Sequence, residues 1–263
     1  GIIKSEKCHI RLTSEIPVTL RPYRCSTEDQ KIIDAQLGEL LEKGFIRKST
    51  SPYSFPTVLV DKKDEGAKTR LCINFIKLNA ITISEHYPMP RIEDLQDKLL
   101  DAKYFSTVDI ISGFMHVEIA EEDRAKTAFS SNNGKYEWFR MPFGLKNAPI
   151  IFQRIIFNLL QNYNLTSFAT SYIDDIIIFS KDFDTHLDHL QQLFQMLNKE
   201  NIRLKSSKCH FAKRSVEYLG HTVGHNVISP LRSNTEALLK LVPPTDLRSL
   251  RGFLGKINTN TRI

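Results

Sequence analysis

Three aspartates end or interrupt the most apolar stretches of the sequence. Asp109 follows the run 105–108 (FSTV), and the pair Asp174-Asp175 precedes the run 176–179 (IIIF). Crowded carboxylates in such surroundings are costly unless a cation neutralises them. The residues alone leave two interpretations open, a divalent-metal site or a polar hairpin turn.

The segments that must position these aspartates alternate between helical and strand periodicity. Thr27 and Gln30 are placed as a capping box for the first helix, and Gly44 is its predicted stop. In the first half of the chain the predicted elements are a helix over 28–43, strands over 55–60 and 70–74, a short helix over 92–100, a strand over 104–109, and a hairpin over 126–140 turning at Asn133-Gly134. In the second half they are a helix from Ala148, two strands within 167–180, a helix over 187–197, a strand over 216–223 turning at 224–226, and two helical pieces on either side of Pro243-Pro244. Strand pairs with helices set against them predict an α+β fold around an antiparallel sheet.

The charge of the chain is unevenly distributed. The formal net charge is +6, and residues 201–263 hold 11 Lys and Arg against 3 Asp and Glu. A concentrated positive field suits a phosphate backbone, and a solvated basic surface is the alternative. No apolar run approaches the ~20 residues that a membrane span needs, and nothing at the N-terminus is typical of a signal peptide. We therefore expect an intracellular, cytoplasmic protein without a membrane partner, and the four scattered cysteines are expected to be free thiols.

Three segments together resemble the conserved motifs of a known enzyme family. Residues 105–114 are similar to polymerase motif A, residues 141–153 (MPFGLKNAPIIFQ) to motif B, and residues 172–175 (YIDD) to motif C of reverse transcriptases. Their order and spacing resemble those of the gypsy-type LTR retrotransposon Pol polyprotein. Further segments agree and extend the resemblance over nearly the whole chain, namely 21–23 (RPY), 42–51 (EKGFIRKSTS), 87–90 (YPMP) and 218–221 (YLGH).

The resemblance implies a right-hand polymerase with an antiparallel-sheet palm, fingers and a truncated thumb. The implied domains are fingers over 1–83 and 117–147, palm over 84–116 and 148–226 with the primer grip, and the start of a thumb over 227–263. The implied activity is RNA-directed DNA synthesis in retrotransposon replication. The implied partners are a primed RNA or DNA template and a deoxynucleoside triphosphate.

The resemblance also assigns roles to the three aspartates. Asp109 and Asp174 are expected to bind two Mg²⁺ ions, with Mn²⁺ as an alternative metal, and Asp175 mainly the ion at the primer end. Such a pair of ions assists in-line phosphoryl transfer by activating the nucleophile and holding the leaving group. Lys208 is similar to the lysine of motif D that is proposed to protonate the leaving pyrophosphate, although a phosphate-neutralising surface charge is an equal alternative.

Further residues match positions that contact the nucleotide or the primer in the family. Lys62 and Arg70 match triphosphate contacts, although without the resemblance both are solvated charges. Phe143 and Gly144 match motif B positions near the sugar of the nucleotide, and Phe114 resembles a steric gate against a ribose 2′ hydroxyl. The alternative for both phenylalanines is an ordinary core aromatic. The primer grip is assigned to Tyr218, Leu219 and Gly220, which as plain sequence belong to a core strand.

Two departures weaken the match. Asn74 and Ile76 stand where the family usually has Asp and Arg, and residues 258–262 differ from the tyrosine-rich continuation of the family. The alternative function is therefore a catalytically weak or inactive retroelement remnant that only binds nucleic acid. A metal-dependent nuclease is a further alternative, but motif B and the basic residues Lys62 and Arg70 have no role in it.

Overall fold

The computed structural model describes residues 1–61, 69–89, 96–231, 244, 246–247 and 249–254. The helices are α1 (Thr27–Glu42), α2 (Ile76–Ile81), α3 (Gln96–Leu100), α4 (Glu121–Arg124), α5 (Ala148–Asn162) and α6 (Phe183–Lys199). The strands are β1 (Ile3–Cys8), β2 (Ile46–Lys48), β3 (Phe55–Asp61), β4 (Thr69–Ile73), β5 (Tyr104–Asp109), β6 (Val117–Ile119), β7 (Phe129–Ser131), β8 (Gly134–Trp138), β9 (Ala169–Tyr172), β10 (Asp175–Ser180), β11 (His210–Lys213), β12 (Ser215–Tyr218), β13 (His221–Gly224) and β14 (Val227–Pro230). Residues 249–254 are also helical.

The chain forms two compact units. The first unit comprises Gly1–Tyr87, Ser112–Ile155 and Glu200–Ile202, and the second comprises Pro88–Ile111, Ile156–Lys199 and Arg203–Ile263. Each unit is therefore built from segments that are distant in sequence. The boundaries of fingers, palm and thumb stay a prediction.

The first unit is built on a five-stranded sheet with the order β2-β8-β7-β3-β4. Its neighbours are antiparallel except β3 and β7, which run parallel. Strand β1 pairs in parallel with β6. Large aromatic side chains fill the core of this unit. Phe55, Phe75 and Phe129 are each at most 2% exposed.

The second unit is built on a four-stranded antiparallel sheet with the order β11-β5-β10-β9. Helix α6 packs against β10 and β5. A second antiparallel sheet, β12-β13-β14, shares a hydrophobic core with α3, β5 and β10. The members of that core are Leu99, Ala102, Phe105, Ile177, Phe179, Val216, Tyr218 and Val223. The predicted α+β fold with an antiparallel sheet is confirmed.

A buried polar chain crosses the interface between α6 and the four-stranded sheet. The ring of His186, which has no exposed surface, contacts Ser106 Oγ through Nε2 at 2.7 Å and Ser180 Oγ through Nδ1 at 2.8 Å. The same Ser180 hydroxyl lies 2.8 Å from Nδ1 of His189, and Ser106 Oγ accepts the backbone N–H of Ala212. Because a hydroxyl donates only one hydrogen, these contacts fit a neutral His186 ring that donates at one nitrogen and accepts at the other. The pKa of His186 is lowered to about 4, first by burial and then by the charge of the nearby His189.

Three local predictions were wrong. The side chain of Ser26, not Thr27, caps α1 by accepting the Asp29 N–H, although Gly44 stops the helix with φ +65° as predicted. The hairpin of β7 and β8 pairs Ser131 with Gly134, so its loop is 132–133. The stretch 216–223 is not one strand, because it turns back at Leu219 and Gly220.

Two further observations concern the cysteines and the length of the helices. All four cysteines are free. Within the described ranges no helix is both long and apolar enough to span a bilayer.

Candidate active site

The register of the four-stranded sheet brings the three aspartates together. Asp109 is the last residue of β5 and Asp175 the first residue of β10, and the two are direct partners across the antiparallel pair. Side chains at directly opposed positions have Cβ atoms roughly 4.5–5.5 Å apart. Asp174 lies in the adjoining loop, where its carbonyl accepts the Ile110 N–H at 3.0 Å. Asp109, Asp174 and Asp175 thus form one acidic cluster, although Asp109 precedes the other two by 65 and 66 positions in the sequence.

The loop that carries Asp174 is strained. Tyr172 and Asp175 pair across the hairpin of β9 and β10, which leaves a two-residue loop of Ile173 and Asp174. Ile173 adopts φ +54°, a conformation that a β-branched residue rarely takes because its Cβ crowds the backbone. Such strain costs on the order of 1–3 kcal/mol and persists where the surrounding structure imposes it. Pairing on both edges of β10 imposes it here.

The acidic cluster is electrostatically unfavourable without a cation. The pKa of Asp174 is raised to about 6, first by burial and then by the charges of Asp175 and Asp109. Burial, followed by the charge of Asp109, also raises the pKa of Asp175. The positive charge of Lys208 acts in the opposite direction and lowers the pKa of both aspartates. A group of carboxylates that resists ionisation in this way gains most from a bound metal ion.

The donor atoms fit a divalent cation. Oδ1 of Asp174 is buried and has no hydrogen-bond partner among the described residues, although buried carboxylate oxygens are normally bonded. Carboxylate oxygen is the ligand type that Mg²⁺ and Mn²⁺ prefer. The acidic cluster therefore offers a buried oxygen ligand that a divalent cation would complete.

Lys208 supplies the nearest positive charge. It ends a short 3₁₀ helix, Ser206–Lys208, and its Nζ lies 3.6 Å from Oδ2 of Asp109. The backbone holds this turn beside the sheet, because Lys205 donates its N–H to the Asp109 carbonyl at 2.9 Å. The side chain of Lys208 is half exposed, so it is free to reorient.

A cleft of about 660 Å³ opens beside the acidic cluster. The cleft is lined by two of the aspartates, by the predicted lysine Lys208 and by part of the predicted primer grip. The lining includes Asp109, Asp175, Lys208, His210, Lys213, Glu217, Tyr218 and Leu219. Five of these eight side chains carry a formal charge, three negative and two positive, so the lining combines both signs. The cleft is therefore suited to an ionic ligand.

The predicted primer grip is a tight hairpin. Tyr218 pairs with His221, which leaves Leu219 and Gly220 as the loop, and both have positive φ, +48° and +77°. Two positive φ values define a type I′ turn, which matches the twist of paired strands. The Tyr218 ring is buried in the core, and its pKa is raised by burial and then by Asp175 and Tyr172. The hairpin tip is thus anchored to the core beside the acidic cluster.

Three of the predicted nucleotide contacts, Arg70, Phe143 and Phe114, touch one another in the first unit. The Arg70 guanidinium lies over the Phe143 ring, 4.9 Å from its centroid. The centroids of Phe143 and Phe114 are 5.2 Å apart. Phe114 also contacts the fully buried Phe152 of α5, at 5.7 Å. Lys62 lies outside the described residues.

Asn79 is a residue of this region to which the sequence assigned no role. Its side-chain amide donates to the Gly144 carbonyl at 2.8 Å and accepts the Lys146 N–H at 2.9 Å. Gly144 has φ +93°, so a side chain there would be strained. Helix α2, which carries Asn79, was not predicted.

Asn74 and Ile76, which differ from the family, lie in different surroundings, and residues 258–262 lie outside the described residues. Asn74 accepts the Ile76 N–H at the start of α2 and donates to the Tyr23 hydroxyl at 2.9 Å. The Ile76 side chain is 70% exposed. An arginine would be accommodated at that position without repacking the core.

A second group of possible ligands occurs in the first unit. His9, Glu122 and Asp123 each place one ligand atom within 4.8 Å of the others. Asp123 is already satisfied, because it accepts the Lys126 ammonium at 2.6 Å and the Ile10 N–H at 3.0 Å. This group is a network of ion pairs and hydrogen bonds.

Comparisons with known proteins agree with the sequence motifs. Residues 60–223 match the family described as "Reverse transcriptase (RNA-dependent DNA polymerase)". An antiparallel sheet with carboxylates at its strand ends and a matching family profile define the class, and the chain belongs to the reverse transcriptase family.

Within this family several relatives are transposon proteins. The chain is 40% identical over 252 residues to the retrovirus-related Pol polyprotein from transposon opus of Drosophila melanogaster, covering 95% of this chain and 25% of the relative. It is 39% identical over 250 residues to the corresponding polyprotein from transposon gypsy of the same organism, covering 94% and 24%. The predicted resemblance to gypsy-type reverse transcriptases is confirmed. The chain spans about a quarter of the length of these relatives.

A solved structure shows the same fold. The foamy viral protease-reverse transcriptase in complex with double-stranded DNA matches with a TM-score of 0.85 at 24% identity, covering 98% of this chain and 45% of that chain. The same viral enzyme in complex with an RNA/DNA hybrid matches with a TM-score of 0.79. The polymerase fold predicted from the sequence is confirmed.

Proposed function

We propose that this chain is the polymerase part of a retrotransposon reverse transcriptase and adds deoxynucleotides to the 3′ end of a primer on an RNA or DNA template. The observation that carries the proposal is the acidic cluster, in which Asp109, Asp174 and Asp175 meet at the ends of two paired strands. Family membership supports the reaction, and the foamy viral complexes with DNA and with an RNA/DNA hybrid support the class of partner.

Asp109, Asp174 and Asp175 would hold two divalent cations, Mg²⁺ or Mn²⁺. When bound, the ions would activate the primer hydroxyl and stabilise the leaving pyrophosphate. Asp109 and Asp174 would bind both ions, and Asp175 would bind mainly the ion at the primer end. The strained hairpin fixes the carboxylates in advance, so the cluster loses little conformational freedom when it engages a cation.

Lys208 would donate a proton to the pyrophosphate. Its ammonium already neutralises part of the charge of the acidic cluster, at 3.6 Å from Asp109. A cation that takes over this neutralisation would free the lysine for the leaving group. The half-exposed side chain allows that movement.

The remaining predicted residues have binding roles in this proposal. Arg70 and Lys62 would contact the triphosphate, since a guanidinium binds phosphate through two parallel hydrogen bonds. Phe114 would lie against the sugar, and Gly144 would allow the backbone to approach the nucleotide. The hairpin tip at Leu219 and Gly220 would support the primer end, with Tyr218 as its buried anchor. We assign residues 1–83 and 117–147 to fingers, 84–116 and 148–226 to palm, and 227–263 to the start of a thumb.

A primer-extension assay tests the proposal. The wild-type chain and Asp174→Asn are incubated with a primed RNA template, the four deoxynucleoside triphosphates and Mg²⁺. Extension by the wild type and its loss in Asp174→Asn are the expected results. Binding of the primed template without extension by the wild type would instead identify a remnant that only binds nucleic acid.

A further inference from the structure

Four side chains of the first unit form a continuous stack, the aromatic column, which consists of Arg70, Phe143, Phe114 and Phe152. Successive members are separated by 4.9, 5.2 and 5.7 Å. Arg70 comes from β4, Phe143 from the loop before α5, Phe114 from a 3₁₀ helix, Gly113–His116, and Phe152 from α5. The stack therefore joins four separate elements of one unit.

The column runs from the core to the surface. Phe152 is fully buried, Phe114 is 9% exposed, Phe143 is partly buried and Arg70 is exposed. Among the described residues, no carboxylate forms an ion pair with Arg70. The face of its planar guanidinium is thus held by the Phe143 ring, which leaves the donor edges available to an anion.

The backbone under Phe143 is fixed independently of the column. Asn79 bonds both the Gly144 carbonyl and the Lys146 N–H, and the Met141 N–H bonds the Val117 carbonyl at 2.9 Å. The loop is therefore held on both sides of Phe143. Because the backbone is held, a displacement of Arg70 would change the side-chain angles of Phe143 rather than move the loop. The displaced Phe143 ring would in turn move Phe114.

We propose that Phe143 is a positioning residue that couples Arg70 to Phe114, so that recognition of the nucleotide's phosphates and discrimination at its sugar depend on each other. The inference rests on the proposed function, in which Arg70 contacts the triphosphate and Phe114 contacts the sugar. It adds that the two contacts act through a single packed unit. Ribonucleotides and deoxynucleotides carry the same triphosphate, so an uncoupled Arg70 would affect both equally.

Extension kinetics of Arg70→Ala test the coupling. The ratio of kcat/KM for ribonucleotide addition to kcat/KM for deoxynucleotide addition is measured for the full chain on one primed template. Coupling predicts that Arg70→Ala raises this ratio about three- to tenfold, because loss of the stacked guanidinium releases Phe143 and then Phe114. In a Phe143→Leu background, Arg70→Ala should lower both efficiencies by the same factor. Phe143→Tyr retains the ring and should restore the coupling.

Lys48→Ala is the matched control, since Lys48 is an exposed cation on the same five-stranded sheet with no part in the column. It should leave the ratio unchanged. An unchanged ratio in Arg70→Ala, with the wild type active and the variant folded by its melting temperature, overturns the coupling. A ratio that shifts equally with and without the Phe143 ring overturns the role of Phe143. Failure of the wild type to extend any primer would overturn the proposed function itself.

Discussion

The acidic cluster of the second unit and the aromatic column of the first unit are stabilised in opposite ways. In the acidic cluster, carboxylates repel one another, a buried oxygen lacks a partner and Ile173 has a strained backbone. In the aromatic column, every neighbouring pair is a favourable ring contact. Removing a charge from the cluster should therefore abolish function and leave the fold as stable or more stable, whereas removing a ring from the column should weaken both.

The largest expected effect is that of Asp174→Asn. The amide keeps the volume of the side chain and removes the charge, so extension should fall by about a thousandfold or more, as expected when several kcal/mol of charge stabilisation are lost. Thermal unfolding in metal-free buffer should show an unchanged or higher melting temperature, because the mutual repulsion is relieved. Asp109→Asn and Asp175→Asn should also abolish extension. Normal extension by all three variants would contradict the metal assignment.

The second effect is that of Phe114→Val, which tests the aromatic column in the same way. A shorter side chain would admit the 2′ hydroxyl, so discrimination against ribonucleotides should fall by roughly 10- to 100-fold. Since Phe114 also packs on Phe143 and Phe152, the free energy of unfolding should fall by about 2 kcal/mol. Unaltered discrimination in a folded but destabilised variant would assign Phe114 to the core alone.

A moderate effect is expected from the basic residues of the segment 205–214. Changing Lys205, Lys208, Lys213 and Arg214 together to Gln should reduce the salt dependence of duplex binding, because fewer counterions are released. The slope of log K against log salt should fall by up to about 0.9 for each contact removed. Equal slopes for the variant and the wild type would place the duplex on another surface.

The smallest effect concerns the stability of the second unit as a function of pH. The folded-state pKa of His186 is depressed to about 4, so between about 6.5 and 4 the unfolded chain binds a proton that the folded chain does not. Stability should fall as the pH falls through this window. Asp174 acts in the opposite direction, because its raised pKa of about 6 lets the folded chain bind a proton first.

Melting temperatures measured from pH 7 to pH 4 should therefore decline more steeply in Asp174→Asn than in the wild type. His186→Asn should show a shallower decline than the wild type, by a few degrees over the window. The same slope in all three proteins would show that neither group titrates as the structure indicates.

The sequence predicted the long elements well, and the three aspartates that it singled out lie together in the structure, because each has a strong local signal. Helices α5 and α6 follow from helical periodicity, and the aspartates follow from charges placed in apolar runs. The pairing of Asp109 with Asp175 could be expected only through the family motifs, because a register between distant strands leaves no local signature.

Tight turns were the main source of error. Leu219 has none of the properties that favour positive φ, so the residues alone predicted a continuous strand, and only the resemblance indicated a hairpin. The stacking of Arg70 on Phe143 and the role of Asn79 were also beyond the sequence, since both join segments separated by more than 60 residues. Short helices such as α2 have too few residues for periodicity to be recognised.

The strand order of the second unit has a consequence for folding during synthesis. Strand β5 lies between β10 and β11, so its two neighbours in the sheet are synthesised about 70 and 100 residues after it. At roughly 5–20 residues per second, β5 waits several seconds or more for its partners, with apolar side chains such as Phe105 and Val108 exposed. Non-local pairing of this kind is slow and prone to aggregation. A ribosome-bound chain that ends before β10 has no complete acidic cluster, so metal binding cannot assist the early stages of its folding.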